Sequence, residues 1–70
     1  MQSDITTLCI ESDRSIIEAI RLMDQSRMGI VLVVDSDRRL LGTITDGDIR
    51  RAVLAKISFS ESVDLLLTRK

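Results

Sequence analysis

The chain has 70 residues, 44% hydrophobic and 30% charged, with a net charge of -1. That is one small folded domain, too short to bury a generous core without a staple or a partner. One cysteine and no histidine exclude an internal disulfide, a Cys/His zinc site and histidine acid–base chemistry; a single aromatic and near-balanced charge argue against a nucleic-acid or membrane surface. Self-association is the expected route to a complete core.

Met1 to Asp13 has no basic region leading into a long apolar run, so no signal peptide is expected. No apolar stretch approaches the roughly 20 residues of a membrane span. A cytoplasmic location is the expectation. Thr6 to Ile10 is short and β-branched and reads as a strand, with Cys9 as a small core residue. After a polar break, Ser15 and Glu18 fit a capping box, and Ile16, Ala19, Ile20 and Met23 recur at helical spacing. The pattern predicts a helix over Ser15 to Met28, with Gly29 as its left-handed terminator.

Ile30 to Val34 is an unbroken apolar run and predicts a strand buried on both faces or nearly so. The polar segment 35–39 then turns the chain, and Leu40 to Thr45 returns as the second arm of a hairpin. Gly42 inside that arm signals a bulge or a close approach to the backbone. A second helix is expected from Asp46 to about Lys56. A third amphipathic segment opens at Ser60 and runs to Lys70, with acids at its start and bases at its end.

Strands one and two, joined through a helix, should pair in parallel by a right-handed crossover, and the hairpin pair is antiparallel. The expected fold is therefore α+β, a β-α-β-β-α unit with a small three-stranded mixed sheet and both helices on one face. The opposite face would expose part of Ile30 to Val34, and such patches mark interfaces.

The informative stretch is Gly42 to Arg51, where Thr45 opens a helix and Asp48 follows three residues later. Free amides at a helix start attract anions such as phosphate. The Asp48 carboxylate offers acceptors to the paired hydroxyls of a ribose. Arg50 and Arg51 add charge if they point into the same cleft. The plain alternative is an ordinary T-x-x-D cap, with both arginines solvated. Asp46 and Asp48, two apart on a helix, do not share a face, so paired-carboxylate catalysis is not expected.

Four pieces in order carry a resemblance: Ser15 to Ile20, Val33 to Asp35, Arg39 to Gly42, and Thr45 to Arg51. Together they resemble a CBS motif, the cystathionine-β-synthase-type regulatory domain. The wording T-D-G-D-I-R-R-A is similar to CBS segments attached to bacterial sugar-phosphate nucleotidyltransferases and to sugar-phosphate isomerases. The resemblance implies a non-catalytic regulatory module that binds AMP, ADP, ATP or S-adenosylmethionine. It carries the phosphate and ribose contacts onto Thr45 and Asp48, and the base contacts onto Leu8, Met28, Gly29 and Ile30, with Arg50 added for phosphate. For Leu8 and Ile30, packing into the core is the equal alternative.

Family members nearly always hold two motifs whose sheets pack together. Here one complete motif, residues 1–57, precedes a segment, 58–70, that reads as a linker or the lead-in helix of a second. The expectation is a homodimer formed through the sheet, with a catalytic domain covalently linked in a longer protein. The competing reading is a structural dimerisation domain with no ligand. No metal site is expected.

Overall fold

A computed structural model describes residues 8–67. Strand β1 (Cys9–Glu11) leads into helix α1 (Ile16–Ser26), followed by β2 (Ile30–Val34), β3 (Leu40–Thr45) and helix α2 (Asp46–Leu54). A short 3-10 turn, Val63–Leu66, closes the described chain. The three strands form one sheet in the order β1-β2-β3, with β1 parallel and β3 antiparallel to β2. This is the mixed α+β unit expected. Of the strand expected over Thr6 to Ile10, Thr6 and Thr7 lie outside the described residues.

Helix α1 begins as its residues dictate. Ser15 is extended, and its hydroxyl accepts from the Glu18 N–H, which satisfies one of the free amides of the first turn. Its end differs from expectation. The helix stops at Ser26, and Arg27, not Gly29, is the left-handed cap, with φ 59° and its N–H donating to the Met23 carbonyl. The Ser26 hydroxyl donates to that same carbonyl and accepts from the Met28 N–H. A serine side chain therefore closes the turn earlier than the glycine would have. Gly29 is nonetheless left-handed, with φ 67°, and serves the entry into β2.

One face of the sheet carries the core. Ile10, Val33, Val31 and Ile44 are buried there with Ile16, Ala19 and Met23 of α1, and Ile49 of α2 packs on the same cluster. Both helices thus cover one face. Along β2 the opposite side is only half-covered: Ile30 and Leu32 are partly exposed, while Val31 and Val33 are fully buried. The strand is therefore not sealed on both faces within this chain. Val34 is buried as well, beside a bulge where the register shifts from Val33–Gly42 to Val34–Leu40 and Leu41 is left over. Gly42 meets both of its anticipated reasons, since the bulge adjoins it and a Cβ there would lie 2.9 Å from the Leu67 side chain.

The largest departure lies after α2. Within the described residues, the amphipathic segment expected from Ser60 is one 3-10 turn, not a longer helix. Its backbone is already committed elsewhere. Ile16 and Ile17 N–H groups donate to the Glu61 and Phe59 carbonyls, and the Val63 N–H donates to the Arg14 carbonyl. Ser15 and Ser62 form an isolated antiparallel bridge, and the Ser62 hydroxyl donates to the Ser12 carbonyl. Val63 is fully buried in the core cluster. Pairing of Phe59 to Val63 with the start of α1 fixes the lead into this turn, so local helical propensity is overridden.

Candidate functional site

The site grows from the end of the β2–β3 pair. Ile30 at the start of β2 lies opposite Thr45 at the end of β3. Thr45 then caps α2 with extended backbone, φ -116° and ψ 172°. The cap is reciprocal: the Asp48 N–H donates to Thr45 Oγ1 at 3.4 Å, and the Thr45 N–H donates back to Asp48 Oδ2 at 2.8 Å. The Thr45 hydroxyl also donates to Asp48 Oδ2, at 3.1 Å. One residue further, the Asp46 N–H donates to the Gly29 carbonyl at 3.3 Å. That bond ties the start of α2 to the left-handed residue before β2.

Of the residues expected to bind, Gly29, Ile30, Thr45 and Asp48 are therefore gathered at one end of the sheet. Met28 precedes them and is 59% exposed. Leu8 is half-buried next to β1, whose Cys9 lies opposite Leu32 of β2. Arg50 is exposed and takes part in no ion pair among the described residues. Its neighbour does: Arg51 Nη2 donates to Asp48 Oδ1 at 2.6 Å. The difference is helical geometry, because residues three apart share a face and residues two apart do not.

Asp48 is held off its ordinary titration. Burial pushes its pKa up, but the Thr45 backbone N–H, the Arg51 hydrogen bond, the Thr45 hydroxyl and the Arg51 charge outweigh that and hold it below the usual value. It is ionised and acceptor-only at neutral pH.

Two hollows flank this turn. The larger, about 550 Å³, lies between the end of α1 and the start of α2 and is lined by Ile20, Met23, Asp24, Arg27, Gly29, Asp46 and Ile49. The smaller, about 300 Å³, is bounded by Asp48, Arg51, Ala52, Ile57 and the Leu65 to Leu67 stretch. The larger hollow contains Gly29 alone of the expected residues; Thr45 and Asp48 stand outside it. The turn itself carries the Asp48 carboxylate and the capped start of α2, both outside the bigger hollow. Asp24 and Arg27 are not singled out in the sequence; Asp46 is, but only as a neighbour of Asp48, and its place in one cleft with Arg27 comes from the packing of the end of α1 against the start of α2. Among the described residues no cluster of acidic or sulfur side chains could hold a metal ion, and no helix is long and apolar enough to cross a membrane.

Comparison with known proteins agrees with this fold. The profile of the CBS domain family matches residues 1–55. Over 57 residues the chain is 35% identical to an uncharacterized protein of Rickettsia prowazekii, covering 81% of this chain and 18% of that relative. A CBS-domain containing protein of Agrobacterium tumefaciens superposes with a TM-score of 0.83 at 31% identity, covering 90% of this chain and 48% of that one. A CBS domain protein of Pyrobaculum aerophilum, solved in complex with AMP, superposes with a TM-score of 0.81 at 17% identity, covering 87% of this chain and 48% of the other. At that identity the likeness is one of fold. The chain thus spans under a fifth of the curated relative and about half of each solved chain.

Proposed function

The chain belongs to the CBS domain family of regulatory, non-catalytic modules, and from that premise we propose that it binds an adenosine-containing nucleotide at the Thr45–Asp48 turn. The observation that carries the reading is the juxtaposition of the ionised, partly buried Asp48 with Thr45, Ile30 and Gly29 at one sheet end. In the proposed complex Asp48 accepts from the ribose and the first turn of α2 faces the phosphate. Ile30 and Leu8 hold the base by apolar contact, and backbone groups from Met28 to Ile30 read its edge. A neighbour that shares the fold, from Pyrobaculum aerophilum, was solved with AMP, which is consistent with an adenine nucleotide as the ligand.

The half-exposed Ile30 and Leu32 support a pairing of this sheet with a second motif, in a homodimer or from elsewhere in a longer protein. In that setting residues 58–70 lead towards the second motif while their first part seals the first. Ligand in the seam stabilises one arrangement of the pair through its differential affinity and so biases a linked catalytic domain. The T-D-G-D-I-R-R-A wording supports a domain acting on sugar phosphates or sugar nucleotides, in the cytoplasm.

A second reading, a pairing module with no ligand, is favoured by one feature: the capping box is complete in itself and leaves Asp48 explained as a cap. Thermal shift separates the two. A ligand that binds only the folded state raises Tm by mass action, by about 2.7 kcal/mol of stability at one hundred times Kd. AMP, ATP and S-adenosylmethionine are the probes, compared with GTP. The expected result is an adenosine-dependent rise that Asp48→Ala abolishes; no rise with any of them favours the ligand-free module.

A further inference from the structure

We propose, resting on the nucleotide reading of the Thr45–Asp48 turn, that Arg51 sets a preference for phosphorylated over neutral nucleosides by occupying Asp48 until a phosphate draws its guanidinium away. A carboxylate oxygen has two acceptor positions. Asp48 Oδ2 has both filled, by the Thr45 N–H at 2.8 Å and the Thr45 hydroxyl at 3.1 Å. Oδ1 has one filled, by Arg51 Nη2 at 2.6 Å. A ribose diol seeking two acceptors on Asp48 therefore meets one open position, and the second exists only when Arg51 lets go.

Arg51 is placed to let go. Its side chain is 71% exposed while that of Asp48 is 16% exposed, so of the two it is the arginine that has open solvent to swing into. Ion pairs exposed on one side to water are weak and easily exchanged. The guanidinium also lies back over the first turn of α2: Nη1 and Nη2 fall 3.6 and 3.8 Å from where a Cβ on Gly47 would sit. A phosphate directed at the start of α2 is met there by the same guanidinium, which binds phosphate in its planar, forked geometry. A neutral nucleoside breaks the Asp48–Arg51 pair and offers the arginine nothing in return. A nucleotide replaces the lost carboxylate with its phosphate. Arg50, one residue away, makes no ion pair with Asp48 among the described residues and takes no part in this exchange.

The test is calorimetric titration of AMP and of adenosine into the whole chain, for the wild type, Arg51→Gln and Arg51→Lys, with folding checked by circular dichroism. In the wild type AMP binds more tightly than adenosine. In Arg51→Gln the ratio of the two affinities falls by about tenfold, the worth of one charge-assisted hydrogen bond, with adenosine binding unchanged or tighter. Arg51→Lys, which keeps the charge but not the fork, lies between. Equal loss for both ligands in Arg51→Gln, or an unchanged ratio, overturns the role of Arg51 and leaves the nucleotide site standing. Failure of the wild type to bind either ligand removes the nucleotide reading and this role with it.

Discussion

Replacing Val63 by alanine tests whether the segment after α2 belongs to the core. Val63 is fully buried among Ile16, Val31, Val33 and Ile44. The substitution removes two methyl groups, worth about 0.8 kcal/mol each in transfer, and leaves a cavity that only partly collapses, for a loss of about 2–3 kcal/mol. A domain of this size holds roughly 4–10 kcal/mol in all, so the loss is a large fraction. At about 4–8 °C per kcal/mol, the expected fall in Tm is on the order of 10–20 °C. Leu65, two residues on and 58% exposed, is the internal control: Leu65→Ala should stay within about 0.5 kcal/mol. Urea unfolding followed by far-UV circular dichroism suits a chain without tryptophan or tyrosine. Protein concentration is held fixed, so that any self-association contributes equally to each variant. A Val63→Ala midpoint indistinguishable from wild type would refute the packing of the 3-10 turn into this core.

Gly29→Ala should cost about 1–2 kcal/mol, because a left-handed φ of 67° disfavours any side chain and the new Cβ would lie 2.9 Å from Asp46 Oδ2; urea unfolding reads it. Stability should also depend on acid through Asp48. Its folded pKa lies below its unfolded value, so its contribution is complete above the unfolded pKa and is lost as pH falls through the folded one. Asp48→Asn removes that part of the pH slope, as measured by unfolding midpoints from pH 6 down to pH 2; a slope equal to wild type would contradict it.

Much of the fold was legible because local signals and burial agree. Ser15 both caps α1 and sits before its apolar stripe, and the Ile30 to Val34 run has no plausible home but the centre of the sheet. The end of α1 was not legible, because two left-handed residues, Arg27 and Gly29, stand close together and only a side-chain bond from Ser26 decides which one stops the helix. The 3-10 turn was hidden for a different reason. Its conformation is fixed by backbone bonds to Arg14, Ile16 and Ile17, some 45 residues earlier in the chain, and no periodicity encodes such pairing. At the site, Thr45 and Asp48 were readable as a local pattern. The sequence reading assigns the phosphate contact to Arg50; that Arg51 is the arginine paired with Asp48 follows from i,i+3 spacing, whereas the placement of Arg27 and Asp46 in one cleft required the fold.

The central claim places an adenosine nucleotide on the turn that links β3 to α2. Its most direct test is titration of AMP into isotopically labelled protein, followed through the backbone amide resonances. The account predicts saturable shifts centred on Gly29, Ile30, Thr45, Gly47 and Asp48. Shifts confined to α1 or to the 3-10 turn, or none at millimolar AMP, would contradict it.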